Sequence, residues 1–374
     1  LLKEDINKFN SLREKVDIIN SKKISEIQKI YFIMDAAKTY GSLPFAGIAR
    51  CAFIATSFLR YFKNKNIISN LEYQNFFENL SVTKNYNKKD SKKQFLKDYG
   101  HMRPSNYSIS TLSYKENYKK YFGEKLIFKK NFKIKPFSLS LKQKIKINNL
   151  FQKNGYYFKK NKLLKFLKES IYYREKGKIE FIYAVDNIFK NLIELGKEIK
   201  IQRNSLEYLD INVILKAYEN LGFDKLKKTI NKNIIENREN YKKYKYIALP
   251  NVITNENDIY SFYKENSKGN FITEKEINSK IIFYSSKLNL KKIVNKIVCI
   301  ENADPGFDFI FNYKIKGLIT KYGGANSHMT IRCNELNIPA AIGCGEIMFK
   351  NLLKEKKLSL NCKNKVIRSS QNIW

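Results

Sequence analysis

The hydrophobic pattern of this chain changes once, near residue 245, and that change limits the folds it can adopt. Before this point apolar residues recur at helical spacing, as in "LKQKIKINNLFQK" (141–153) and "FIYAVDNIFKNLIELGK" (181–197). After it come short apolar runs of strand length, among them "KIVCI", "KGLIT" and "PAAIG", with helical patterns between some of them. The sequence therefore predicts a mainly α-helical body followed by a compact α/β unit.

One long apolar stretch stands out in the helical part. Residues 44–62, "PFAGIARCAFIATSFLRYF", open with Pro44 and carry small residues through an apolar run. This composition predicts a helix that starts near Pro44 and is buried on most sides. The run approaches the length of a membrane span, but Arg50 lies inside it, and a charge at that depth is costly in a bilayer. We therefore predict a buried helix in a cytoplasmic protein that makes no membrane contact.

The predicted domain boundaries follow the change of pattern. Residues 1–245 are the helical region, residues 246–268 are a polar connector with Pro and several Asn, and residues 269–374 are the α/β unit. A flexible connector of this length has an r.m.s. reach of about 25–30 Å, roughly one domain diameter. The chain opens without Met and without a signal-peptide pattern, so we expect it to be part of a longer protein.

The formal net charge of +36 raises the question of nucleic-acid binding. Only nine of the 71 basic residues are Arg, whereas nucleic-acid surfaces rely on Arg for bidentate contacts. Lys enrichment accompanied by Asn and Ile indicates a compositional bias spread over solvated faces, so we predict no nucleic-acid partner. The five cysteines are scattered without a C-x-x-C pair, which predicts neither a metal site nor a disulfide framework.

One of the two histidines stands in "YGGANSHMTIR" (322–332). Gly323 and Gly324 allow a tight turn and the close approach of an outside group to the backbone. Asn326 and Ser327 are both good N-cap residues, so we predict a helix that begins at His328 and ends near the following "NIP".

A helix start is a favourable place for an anion, because free N–H groups and the positive end of the helix dipole meet there. The same field disfavours a protonated imidazole, so the ring of His328 is expected to stay neutral and nucleophilic. Ser327, Thr330 and Arg332 are placed to bind phosphate beside it, together with the backbone of the two glycines. The local chemistry therefore allows a phosphoryl carrier, with an incidental histidine in a helix-capping loop as the alternative.

The stretch resembles the phosphohistidine motif of the mobile, swivelling domain in phosphoenolpyruvate-utilising enzymes. The motif has a glycine pair, two variable residues, Ser-His, a Glu seven residues after the His, then Ile-Pro-Ala and a Gly. The chain supplies these in register as Gly323, Gly324, Ser327, His328, Glu335, Ile338, Pro339, Ala340 and Gly343. The segment "IENADPGFDFIF" (300–311) resembles the one that precedes the motif.

This resemblance implies an α+β protein, with a helical N-terminal body and a C-terminal α/β swivelling phosphohistidine domain in which His328 is transiently phosphorylated. The chain departs from the family at one place. The family usually has Arg six residues after the histidine, where this chain has Asn334, and the arginine stands at 332 instead.

A looser resemblance covers the helical region. "FAGIARCAFIATSFLRYF" (45–62) and "YGHMRPSNYSI" (99–109) are similar to segments of the region that joins the nucleotide-binding and mobile domains in the family. The second segment holds the other histidine, His101, as a candidate general base toward the acceptor, and Arg103 as a candidate phosphate ligand. A polar loop that braces two helices is the alternative. Arg174 and Glu175 can also line a site or form a solvated helix face.

The family implies ATP and Mg²⁺, which we expect to bind mainly to an ATP-grasp-like N-terminal domain of the same polypeptide, upstream of residue 1. The stretch after residue 346 is too short for the family's phosphoenolpyruvate-binding barrel, so a different acceptor is expected on the helical body.

The motif is most similar to that of barrel-less kinases of capsule gene clusters. These phosphorylate the amide nitrogen of L-glutamine in phosphoramidate synthesis and release AMP and phosphate. Rifampin is the alternative acceptor within the family. A non-catalytic basic protein with a vestigial histidine loop is the alternative outside it.

Overall fold

The computed structural model describes residues 2–80, 92–123, 137–156, 162–220, 223–244, 246–247, 249–250, 252–261, 267 and 269–369. The first part is helical. Its helices are α1 (Leu2–Asn10), α2 (Leu12–Ser21), α3 (Glu26–Ala36), α4 (Leu43–Asn64), α5 (Asn70–Asn79), α6 (Lys92–Tyr99), α7 (Tyr118–Phe122), α8 (Leu141–Lys153), α9 (Lys162–Glu198), α10 (Ile211–Asn220) and α11 (Phe223–Tyr244). The predicted helical body is confirmed.

Helix α9 is the long central helix of this body. It has 37 residues and is therefore about 55 Å long. Helices α2, α3 and α4 pack along it. Its apolar face joins two separate cores, one with α1–α3, α10 and α11 around Ile188 and Leu192, the other with α4, α5 and α8 around Leu167. Because α9 belongs to both cores, it fixes the relative position of the other helices.

Helices α3 and α4 form one continuous stretch through a π-helical segment, Ala37–Ser42. Pro44 follows at the start of α4. Proline has no N–H to donate to the preceding turn, and a π-helical segment is one way to absorb the missing bond.

The prediction that residues 44–62 are buried on most sides is wrong. One face of α4 is buried through Ile48 and Leu59, but Phe53 is 64% exposed and Ile54 is 50% exposed. The run is apolar on more than one face, whereas α9 and its neighbours cover only one. Among the described residues, a single helical stretch, Glu26–Asn64, is long and apolar enough to cross a membrane by length and composition.

The C-terminal part is a seven-stranded mixed sheet with helices on it. Its elements are β1 (Asn270–Ile272), β2 (Glu276–Phe283), β3 (Ile297–Asn302), β4 (Gly317–Tyr322), α12 (His328–Glu335), β5 (Ala340–Ile342), α13 (Gly345–Leu352), β6 (Lys357–Asn361) and β7 (Val366–Arg368). The strand order is β1-β5-β4-β3-β2-β6-β7. Strands β2 to β5 are parallel, and β1, β6 and β7 pair antiparallel. The short edge strand β1 was not predicted.

Both faces of the central parallel strands are buried, as parallel strands require. Along β3, Ile297 and Cys299 face a core with α13, while Val298 and Ile300 face the opposite side. That second core also contains aromatic residues of the 95–122 segment, such as Tyr114 and Phe122. The α/β unit is therefore docked on the helical body through a shared apolar core.

The predicted connector, residues 246–268, lies between the last helix of the body and the first strand of the sheet. Helix α11 ends at Tyr244 and β1 begins at Asn270. In the described residues between them there is one 3₁₀ turn, Glu256–Ile259.

Candidate phosphohistidine site

The loop before His328 depends on a glycine. Strand β4 ends at Tyr322, and Gly323 follows with φ of +143°. A Cβ atom on Gly323 would lie 2.5 Å from the Cβ of Ala303. Any other residue would therefore push the loop away from the adjacent strand end.

Ser327 is the N-cap of α12, and His328 is its first helical residue. The Ser327 side chain accepts a hydrogen bond from the Thr330 N–H at 3.4 Å, and the Thr330 hydroxyl donates to the carbonyl of Gly324 at 3.0 Å. Both hydroxyls predicted to bind phosphate thus shape the loop in this arrangement. The sequence pattern located this helix start to the residue.

His328 is 7% exposed, and its ring is held by a carboxylate. Nε2 lies 2.9 Å from Oδ1 of Asp308, which comes from a 3₁₀ helix, Pro305–Tyr313, before β4. Because an ionised carboxylate only accepts, Nε2 carries the proton and donates it. In the neutral ring the lone pair is then on Nδ1. While the Asp308 contact holds, Nδ1 is the nucleophilic nitrogen, and attack through Nε2 requires that contact to break.

Arg332 lies one helical turn after His328 and is 5% exposed. Its Nε donates to Oδ1 of Asp308 at 2.8 Å, and its Nη1 donates to Oε2 of Glu335 at 2.6 Å. The guanidinium is thus shared between two buried carboxylates instead of pointing at an open anion site. The arginine at this position completes a chain that runs Glu335–Arg332–Asp308–His328.

This chain keeps Asp308 charged. Burial raises the pKa of the Asp308 carboxyl, but the charge of Arg332 and the hydrogen bond from His328 outweigh it and hold the pKa below its usual range. Burial by itself would lower the pKa of Arg332, but the charges of the two carboxylates have the opposite and larger combined effect. The pKa of Arg332 is therefore raised above its usual value. A charged Asp308 orients the imidazole and can stabilise positive charge that develops on it.

Asp308 is the main residue that the sequence reasoning missed. The signal was present, because an acidic residue stands in the apolar run "GFDFIF". A charge in such a run is rarely buried without a partner. Its partner could not be read from the sequence, since it lies 20 residues further along the chain.

The segment that carries Asp308 docks on the loop that contains the other histidine. A Cβ on Gly306 would lie 1.8 Å from the carbonyl oxygen of Arg103. The Tyr114 hydroxyl donates to the Gly306 carbonyl at 2.8 Å, and Asn106 donates to Asp304. The two segments that resemble the family, 99–109 and 300–311, therefore meet in the fold.

His101 and Arg103 do not join His328. His101 is 4% exposed, and its Nε2 donates to the Ile179 carbonyl of α9 at 3.0 Å. Arg103 is 2% exposed, and its guanidinium binds Asp186 and the carbonyl of Thr111. These contacts brace the loop against α9. A general-base role for His101 and a phosphate-binding role for Arg103 stay predictions, and each requires the loop to open.

Helix α9 reaches the histidine loop through Arg174. This side chain donates to the Asn326 carbonyl at 3.2 Å and pairs with Glu175 at 2.8 Å. Lys178 lies 3.2 Å from the same carboxylate. Burial raises the pKa of Glu175, but Lys178 and Arg174 outweigh it and lower the pKa. In the described part of the chain, no three His, Cys, Asp or Glu side chains are grouped to hold a metal ion.

Comparison with known proteins finds a similarity in the region of this site. Residues 294–365, from just before β3 to just before β7, match the mobile domain of PEP-utilising enzymes. This matched segment contains His328, and it does not extend into the helical body. Rifampicin phosphotransferase of Bacillus cereus is 27% identical over 187 residues, which cover 47% of this chain. The match spans only 21% of that relative's length.

Proposed function

We propose that the chain is the C-terminal part of an ATP-dependent phosphotransferase in which His328 carries the phosphoryl group. The observation that carries this proposal is the position of His328. It is the first residue of a capped helix in a segment that matches the mobile domain of PEP-utilising enzymes, and its ring is oriented by the buried carboxylate of Asp308.

The proposed cycle has two transfers. In the first, an imidazole nitrogen of His328 takes the β-phosphoryl group of ATP, water takes the γ-phosphate, and AMP and inorganic phosphate leave. In the second, the bond from phosphorus to His328 breaks as a bond to the acceptor nitrogen or oxygen forms, and the acceptor loses one proton. ATP and Mg²⁺ would be bound mainly by an N-terminal domain of the same polypeptide. The first helical turn would bind the phosphate oxygens.

For the acceptor we propose a small molecule, with the amide nitrogen of L-glutamine as the first candidate. The similarity of "KYGGANSHMTIRCNELNIPAAIGCGE" (321–346) to glutamine-phosphorylating kinases supports it. The second candidate is a rifamycin-type hydroxyl, which the resemblance to rifampicin phosphotransferase favours. AMP release by the full-length protein, with glutamine and rifampicin offered in turn, distinguishes the two.

The carrier role is tested by labelling. The full-length protein is incubated with Mg²⁺ and ATP labelled at the β-phosphate, and acid-labile label is counted on the protein. We expect label on the wild type, none on His328→Ala, and label on His101→Ala, the matched control at the other histidine. Absence of label on the wild type, or label that survives His328→Ala, would overturn the carrier role and favour a non-catalytic basic protein with a vestigial loop.

A further inference from the structure

A cleft of about 530 Å³ lies between the helical body and the histidine loop. We call it the basic cleft. Its volume is within the range of small-molecule sites. One wall is the loop Gly324–Ser327, which ends at the residue before His328. The opposite walls come from α4 and α9. A molecule in the basic cleft would therefore contact both the body and the loop that positions the carrier histidine.

The charged side chains that line the cleft are all cationic. They are Arg60 on α4 and Arg174 and Lys178 on α9, and no carboxylate is among the described lining residues. Arg174 already forms an ion pair with Glu175 and donates a hydrogen bond to the carbonyl of Asn326 in the loop. Glu175 is not among the lining residues, and its charge offsets one of these three cations. The net charge of the cleft is therefore positive.

Arg60 and Lys178 are the cations available to a ligand. Arg60 is exposed, although its side chain donates a hydrogen bond to Tyr73. The Lys178 side chain is 36% exposed although it also contacts Glu175. Phe45, Ala49 and Phe53 line the same cleft. This combination suits an anionic end group attached to a short apolar segment.

We propose that the basic cleft selects the acceptor by a carboxylate, which Arg60 and Lys178 bind beside the loop that leads into His328. The inference rests on the proposed function and deepens it, because it names the chemical class of the acceptor. A phosphate ion could be attracted by the same cations, so the test includes it as a separate arm.

Binding to this chain is measured by calorimetry with four probes: L-glutamine, N-acetyl-L-glutamine, L-glutaminamide and inorganic phosphate. The first two carry the carboxylate, and the third lacks it. Arg60→Gln and Lys178→Gln are compared with Lys165→Gln, a control on α9 whose side chain is 72% exposed outside the cleft. We expect each cleft variant to weaken carboxylate binding about ten-fold, as for loss of one charge-assisted contact. The control should bind like the wild type, and glutaminamide should bind at least about ten-fold more weakly than L-glutamine, from which it differs only in the carboxylate.

Three results would overturn the inference. One is equal binding by cleft variants and wild type, and another is equal binding of glutaminamide and its carboxylate counterparts. The third is a cleft effect confined to phosphate, which would assign the cations to the transferred group. Lack of cleft-dependent binding by both carboxylate probes counts as the first result. None of these depends on labelling of His328, so the carrier role can stand while the inference fails.

Discussion

The two histidines of this chain are almost equally buried, yet their surroundings differ. His328 is 7% exposed and His101 is 4% exposed. The ring of His328 donates to a charged carboxylate that is fixed by Arg332. The ring of His101 donates to a backbone carbonyl, and its Nδ1 has no hydrogen-bond partner among the described residues. Burial alone therefore does not distinguish the two histidines, whereas the charge of the hydrogen-bond partner does.

The surroundings of the two histidines have opposite effects on a positive charge on the imidazole ring. Asp308 can stabilise a positive charge on His328 as phosphorus is attacked or released. For His101, burial and, after it, the nearby charge of Arg13 lower the pKa to about 3. His101 thus stays neutral across physiological pH and serves as a donor that ties its loop to α9.

Among the variants that test this difference between the two histidines, Arg332→Met should have the largest effect, a loss of stability. The substitution leaves two buried carboxylates, Asp308 and Glu335, without their shared cation. Removal of one partner from a buried ion pair typically costs about 3–5 kcal/mol. Urea unfolding of this chain at pH 7 measures the loss. A variant as stable as the wild type would show that Arg332 does not organise the site. Lys165→Gln, with its exposed ion pair, is the control and should change stability by less than about 1 kcal/mol.

Asp308→Asn tests whether the charge of the Asp308 carboxylate is needed for the labelling of His328. The amide keeps the shape but removes the charge that orients the ring and balances Arg332. We expect the rate of His328 labelling in the full-length protein to fall about 10- to 100-fold, the usual range for a partner that orients a reactive histidine. The pH profile of labelling should shift as well.

Asp308→Glu is the matched variant, since it restores the charge and should recover part of the rate. A labelling rate that is unchanged in Asp308→Asn would remove Asp308 from the mechanism. A rate that falls equally in both variants, with the unfolding free energy also lowered equally, would reduce its role to folding.

The sequence predicted the local part of the site and not the tertiary part. The bounds of α12 followed from Ser327 as N-cap and from the "NIP" stop, because caps and prolines act within a few residues. The partner of His328 depends on how the 3₁₀ helix before β4 packs against α12, and the fate of His101 depends on a carbonyl 78 residues away. Similarly, the composition of α4 could not tell which of its apolar residues, such as Phe53, would be left uncovered.

The smallest effect that we expect to measure concerns His101 and is the change of its contribution to stability between pH 6.5 and 5.5. The pKa of His101 in the folded chain is about 3, and it is near 6.5 in an unfolded chain. Below pH 6.5 the unfolded state therefore binds a proton that the folded state does not. Stability is complete above pH 6.5 and is lost as pH falls toward 3, by up to about 1.4 kcal/mol per pH unit from this residue.

His101→Gln isolates this contribution, because glutamine can still donate to the Ile179 carbonyl but does not titrate. Urea unfolding of wild type and variant between pH 6.5 and 5.5 is the measurement, since carboxylates titrate mainly below this range. The wild type should lose up to about 1 kcal/mol more than the variant over that interval. Parallel curves would mean that the ring of His101 reaches solvent and takes up a proton in the folded state. In that case its loop opens, and the general-base role predicted for His101 becomes feasible.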